Sequence, residues 1–189
     1  MAKYLINLDG YLRISLAKSL KNFYGKIDMS FFCAKKSDQI LLKQDFPNCS
    51  IYCWEDYLEK NQNKVFEEEE LLKLEKLIGT KLVKANYSFY NYLQFYKSVK
   101  IKNEDKLKGD HLRSYLNYNF YSDILKKESP NIILHEHAGG SGSEILERLA
   151  KDEGIKYYVF ATRFFDNRFL LMDVVNNNFD TLDKFYLKC

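Results

Sequence analysis

Between Asn131 and Thr162 the chain reads NIILHEHAGGSGSEILERLAKDEGIKYYVFAT, and the changing periodicity of that stretch dictates a βαβ unit. Ile132 to His135 is a short apolar run that ends in His135-Glu136-His137, the polar exit of a buried strand. Ala138-Gly139-Gly140-Ser141-Gly142-Ser143 follows and opens onto a helix, in which Ile145, Leu146, Leu149 and Ala150 recur at helical spacing. Gly154 closes that helix, and Ile155 to Ala161 supplies the second strand. A strand, a helix and a strand in this order require parallel strands joined by a right-handed crossover. Ligands of such sheets sit beyond the carboxyl ends of the strands, where the histidines, the glutamate and the glycines of this stretch fall.

The chain on either side extends the same pattern. Tyr4 to Leu8 is a short apolar strand that turns at Asp9-Gly10, and Tyr11 to Phe23 carries a helical stripe that Gly25 ends. Ile27 to Ala34 completes a first βαβ unit, Ser37 to Phe46 fits a short helix or an extended segment, and Cys49 to Trp54 reads as a third strand. Asp56 to Ile78 is a charged helix with Glu67 to Glu70 at its centre, a run expected to form a solvated face. The aromatics of Leu82 to Lys102 (Tyr87, Phe89, Tyr90, Tyr92, Phe95, Tyr96) suit a helix packed on the sheet, with a stacking platform for a glycan or a single strand as the rival reading. Asn103 to Glu128 is the longest helical pattern, with Leu107, Leu112, Leu116, Phe120, Ile124 and Leu125 on one stripe. Phe169 to Val175 is a further apolar run, Asn176 to Asn178 a turn, and Thr181 to Leu187 a helical or irregular tail. With two prolines, no repeat and no low-complexity linker, residues 1–189 are expected to form a single three-layer Rossmann-like α/β domain with a mostly parallel sheet.

Composition narrows the function classes. A hydrophobic fraction of 46% supports a packed core, and a net charge of +3 does not call for a nucleic-acid partner. That charge is compatible with an acidic glycan or with peripheral contact to a membrane surface. There is no run of about 18 apolar residues, so no membrane-spanning helix is expected. The N-terminus enters a strand pattern without a signal-peptide core, which points to the cytoplasm, with the inner face of the membrane within reach. Cys33, Cys49 and Cys53 fall in or beside expected strands and read as buried, reduced thiols; the C-x3-C spacing of Cys49 and Cys53 is neither a redox pair nor half of a zinc site.

Three sets of residues carry candidate chemistry. Strand alternation puts His135 and His137 on one side and Glu136 on the other. A histidine or a partly buried carboxylate can be tuned toward neutral pH, so any of the three can act as a general base, against the rival reading of a hydrogen-bonded structural histidine. No third ligand accompanies the H-x-H pair, so no metal is expected. Gly139, Gly140, Ser141, Gly142 and Ser143 bring backbone N–H groups to a helix N-terminus, where negative charge is favoured. Their spacing is not G-x-G-x-x-G and the lysine of a phosphate-binding P-loop is missing, so no nucleotide cofactor is expected there. The competing reading is a tight turn with Ser141 or Ser143 as N-cap. Arg163 and Arg168, beyond the second strand, suit bidentate contact to a phosphate or sugar carboxylate, or pairing with Asp166 or Asp173.

The run from Lys126 to Asp173, KKESPNIILHEHAGGSGSEILERLAKDEGIKYYVFATRFFDNRFLLMD, resembles the N-terminal domain of GT-B-type glycosyltransferases of bacterial surface polysaccharide (capsule and lipopolysaccharide) biosynthesis. The likeness is carried by Pro130-Asn131 before the apolar strand, Glu136 after it, the small-residue turn Gly139 to Ser143, Ala150-Lys151 with Gly154-Ile155, and Arg163 to Phe169. The resemblance implies an acceptor-side domain in which Glu136, His137 and the glycine turn line a cleft that receives a carbohydrate acceptor. Arg163 and Arg168 would then stand near that cleft. It also implies that the nucleotide-sugar donor is bound by a second Rossmann-like domain or partner chain, which would begin about where this sequence ends.

Overall fold

Strand Ile132–Glu136, the first element of the quoted stretch, is the fourth of six strands in the computed structural model, which describes residues 2–8, 11–24, 27–61, 68–78, 103–136, 141–161 and 170–173. The described elements are β1 (Lys3–Asn7), α1 (Tyr11–Tyr24), β2 (Asp28–Cys33), α2 (Lys36–Asp45), β3 (Ile51–Cys53), α3 (Trp54–Asn61), α4 (Glu68–Ile78), α5 (Asn103–Glu128), β4 (Ile132–Glu136), α6 (Ser141–Asp152), β5 (Lys156–Ala161) and β6 (Leu170–Asp173). Contacts along the chain group these elements into two compact units. One comprises the described parts of Met1–Asp56, Glu128–His137 and Ala150–Cys189; the other those of Tyr57–Lys127 and Ala138–Leu149.

The first unit holds the sheet, in the order β3-β2-β1-β4-β5-β6. Its first five strands are parallel, in the registers Ile6 with Phe31, Ile6 with Leu134, and Leu134 with Tyr158. Strands buried on both faces read as continuous apolar runs, which is why β2 can be DMSFFC with every residue after Asp28 buried. Strand order reverses between β1 and β4, and right-handed crossovers then send the two halves' connections to opposite faces, giving a three-layer Rossmann-like α/β fold. On one face Ile6, Leu8, Met29, Phe31, Cys33 and Leu134 pack with Ile14 and Ala17 of α1 and with Leu42 and Phe46 of or just after α2. The Phe31 and Phe46 rings lie 4.7 Å apart. β6 is antiparallel to β5, because the connection from Ala161 to Leu170 is shorter than the dozen or so residues that a parallel crossover needs.

Three expectations shift at their boundaries. Ser37 to Phe46 resolves to a helix, α2. The third strand is shorter than Cys49 to Trp54, because Trp54 already starts α3. The Glu55 N–H donates to Ala34 O, and the Glu55 carboxylate accepts from the Lys36 N–H at 2.8 Å, which turns the chain into α3 directly after Cys53. Of the helix expected over Asp56 to Ile78, α3 and α4 are described, and residues 62–67 between them lie outside the described residues. The aromatic segment 82–102, the turn at 176–178 and the tail at 181–187 lie outside them as well.

α6 ends in a Schellman motif at the expected glycine. Gly154 has φ +67°, its N–H donates to Lys151 O at 3.1 Å, and the Ile155 N–H donates to Ala150 O at 2.8 Å. Nothing lies within 4 Å of where a Gly154 side chain would begin, so only the left-handed backbone opposes substitution. Gly154→Ala is therefore expected to cost about 1 kcal/mol, a fall in Tm of roughly 2–4 °C by thermal denaturation. An unchanged Tm would contradict the left-handed conformation.

At the same end of the sheet, where α5 meets β4, Ser129 takes φ 44° and reverses the chain. The Asn131 N–H then donates to Lys3 O, and the Lys3 N–H returns a bond to Asn131 Oδ1 at 2.9 Å. Beside this clamp Glu128 is only 6% exposed. It takes Lys3 Nζ at 3.0 Å on one carboxylate oxygen and the Tyr52 hydroxyl on the other.

In the second unit the Tyr57 and Phe120 rings meet at 5.2 Å, and the Tyr115 hydroxyl donates to Glu70 Oε1 at 2.8 Å. Glu70 is thus engaged and half-buried, so the glutamate run is not a uniformly solvated face. Leu116, Phe120, Ile124 and Leu125 of the α5 stripe are buried, as are Ile145, Leu146 and Leu149 of α6.

Candidate functional site

The strand order reverses between β1 and β4, so the crevice of this fold type opens beyond the carboxyl ends of those two strands. His135 stands there, 5% exposed. Its Nδ1 lies 2.6 Å from the Tyr157 hydroxyl of β5, and its ring stacks on Phe32 of β2 at 5.6 Å between centroids. Asn7, the last residue of β1 and 4% exposed, sends Nδ2 toward Phe32 O at 3.4 Å. All four side chains share the sheet face opposite Ile6, Phe31 and Leu134, as strand alternation requires. The Tyr157 hydroxyl thus orients the imidazole through Nδ1. Tyr157 is absent from the sequence-derived set. Its signal was its position two residues before Val159, the register partner of His135, which puts it diagonally across from the histidine on the same face.

The remaining candidates divide between two elements. Glu136 is the last residue of β4, paired with Phe160. Ser141, Gly142 and Ser143 form the first turn of α6, so Ser143 lies inside the helix rather than at its N-cap. The chain joins these two points through residues 137–140, so His137, Gly139 and Gly140 lie outside the described residues, as do Arg163 and Arg168. Gly142 has a local reason to be glycine: a Cβ there would stand 3.3 Å from Asn117 Nδ2 and 3.5 Å from its Cγ, tighter than ordinary contact. One further acid belongs to this turn. Burial pushes the Glu144 carboxyl up, Arg148 one helical turn on pulls it down and Glu147 raises it again, for a net upward shift.

Elsewhere the chemistry is sparse. Cys33 and Cys53 are buried and form no disulfide, and Cys49 is half-buried, with its thiol pushed up by burial and so away from the thiolate form. Among the described residues no group of three or more His, Cys, Asp or Glu is placed to hold a metal, and no helix is long and apolar enough to cross a membrane. A depression of about 420 Å³, lined by Pro130, Asn131, Ile132, Gly154 and Ile155, lies at the amino ends of β4 and β5, away from the carboxyl edge. No family model matches the chain, and no curated protein matches it.

Proposed function

We propose that the chain is the acceptor-side domain of a GT-B-like glycosyltransferase of bacterial surface polysaccharide biosynthesis, acting with a separate donor-binding domain or chain. One observation supports this reading above the others. Glu136 and the small-residue turn after it, two of the features that carry the family resemblance, follow β4, one of the two strands that flank the reversal of strand order, at its carboxyl end. In this reading Glu136 or His137 takes the proton of the acceptor hydroxyl, His135 steadies the strand end behind them, and Arg163 and Arg168 meet acidic groups on the glycan. In this reading the protein works in the cytoplasm, at the inner face of the membrane.

Calorimetry on the full chain tests the proposal. Oligosaccharides of the surface glycan are expected to bind, and nucleotide sugars are not. Binding of neither ligand would sink the acceptor reading and leave a non-catalytic Rossmann-like scaffold. Binding of nucleotide sugars alone would move the domain to the donor side.

A further inference from the structure

β3 is three residues long and stands at the edge of the sheet, with β2 as its one neighbour there. The last register pair between these two strands is Cys33 with Cys53, each at the carboxyl end of its strand. Register partners on parallel strands point to the same face, and both thiols lie in the core cluster that holds Phe31, Leu42 and Phe46. They are 1% and 4% exposed. Each sulfur leans across the gap between the strands. Cys33 Sγ lies 3.7 Å from Tyr52 O, the carbonyl just before Cys53, and 3.5 Å from Lys35 O. Cys53 Sγ lies 3.9 Å from Ala34 O, the carbonyl of the residue just after Cys33. Neighbouring strands run about 4.8 Å apart, inside the range of roughly 4.4–6.8 Å over which two α-carbons accept a disulfide. One buried cysteine is a small hydrophobe, but two as direct register partners on one face are a dithiol.

We propose that Cys33 and Cys53 are a redox-sensitive pair, resting as thiols and closing into a disulfide between β2 and β3 when a hydroperoxide is the oxidant. One thiol attacks hydrogen peroxide: an S–O bond forms, the O–O bond breaks, and a sulfenic acid and one water result. The other thiol attacks that sulfur: the S–S bond forms, the S–O bond breaks, and the hydroxyl leaves with the second thiol's proton as another water. The two electrons given up by the sulfurs are the two that reduce the peroxide. Access comes through the sheet edge, because a three-residue strand with one neighbour opens locally more readily than the strands inside the sheet. Closure has a structural consequence. The Ala34 carbonyl beside Cys53 Sγ also accepts from the Glu55 N–H at 3.1 Å, a bond at the start of α3. A disulfide at the last register pair therefore pins β3, and the turn into α3, to β2. The device does not rest on the glycan reading, since both cysteines lie on β2 and β3 and Glu136 lies on β4.

The test treats the full chain, at high dilution, with hydrogen peroxide, then alkylates it under denaturing conditions and maps its peptides without reductant. A peptide pair joining Cys33 to Cys53 is expected, and dithiothreitol is expected to release it. In Cys49→Ser combined with Cys189→Ser, where these two are the only cysteines left, both thiols are expected to disappear together and return on reduction. Cys33→Ala and Cys53→Ala each leave a single member of the pair, which is expected to stop at a sulfenic acid that dimedone labels. Circular dichroism checks that each variant is folded, and the peptide map of the unaltered chain decides the matter if one is not. Hydrogen exchange of the Glu55 amide is expected to slow on the order of tenfold in the oxidised chain. Thiols that both stay alkylatable, sulfinic acid on either without the link, or a link to Cys49 in its place would overturn the pair. A link that leaves the Glu55 amide exchanging as before overturns the pinning of α3.

Discussion

Glu128→Ala is expected to lower stability by about 2–4 kcal/mol, a fall in Tm on the order of 5–12 °C in thermal denaturation. The carboxylate is 6% exposed and holds together three parts of the chain that are distant in sequence: Lys3 at the start of β1, Tyr52 in β3 and, through the backbone that follows it, the entry to β4. Removing it leaves a lysine and a tyrosine hydroxyl facing a cavity. The Lys3 side chain is 28% exposed and can turn to water, which keeps the cost below that of a fully stranded charge. Glu128→Gln keeps an acceptor for Tyr52 and is expected to cost about half as much. Double replacement with Lys3→Met should recover part of the loss, and strict additivity would show that the ion pair contributes nothing.

The same cluster predicts a pH window. Burial pushes the Glu128 carboxyl up, but the hydrogen bonds from Tyr52, Lys3 and Ser50 and the Lys3 charge outweigh it, so it titrates below the ordinary carboxylate range. A depressed carboxylate contributes stability that is present above its unfolded pKa of roughly 4.3 and is lost as pH falls through the lower folded value. Burial, and then the bond to Glu128, push the Tyr52 phenol up to about 12. A raised phenol contributes stability below its unfolded pKa of about 10 that is lost as pH rises through the folded value. Stability should therefore hold between about pH 5 and pH 10 and fall on both sides, and Tyr52→Phe should reduce the alkaline shoulder, to which Tyr57, pushed up to about 12 by burial and by Asp123, also contributes.

The sheet was legible because parallel strands are buried on both faces and so appear as unbroken apolar runs: LIN of β1, MSFFC of β2 and the IIL of β4 all sit where such runs predicted them. Gly154 was legible for the same kind of reason, since a left-handed C-cap has a residue type of its own. What could not be read is equally physical. Trp54 looks like the end of a strand, and only the Ala34 carbonyl and the Lys36 N–H, brought in from another segment to engage Glu55, turn it into a helix start. Asn117 sits among polar and aromatic neighbours on α5, and apolar spacing marks Leu116 and Phe120 as buried but gives no sign that Ser114, Asn117 and Ser122 are buried too. A buried polar residue is a tertiary fact. The sequence located the end of β4 and the start of α6 as candidates, whereas Tyr157 against His135 and Asn117 against Gly142 come from other elements and needed the register and the packing to be seen.

Tyr157→Phe is expected to cost about 1–3 kcal/mol, because it removes one oxygen and leaves His135 Nδ1 facing an apolar ring at a position 5% exposed. The measured Tm should fall by roughly 3–8 °C, and an unchanged Tm would mean that the hydroxyl and the imidazole do not form a bond that matters. Replacing both partners is the sharper experiment. When a buried donor and acceptor are both exchanged for apolar groups of similar shape, the loss is largely cancelled, so His135→Leu combined with Tyr157→Phe should be more stable than Tyr157→Phe alone. That double variant also separates the two roles open to His135. If it keeps both wild-type stability and oligosaccharide binding, the histidine is a packed member of the strand end and the base lies at Glu136 or His137. If it is stable but no longer binds, the imidazole takes part in ligand contact, and the pair is part of the site itself.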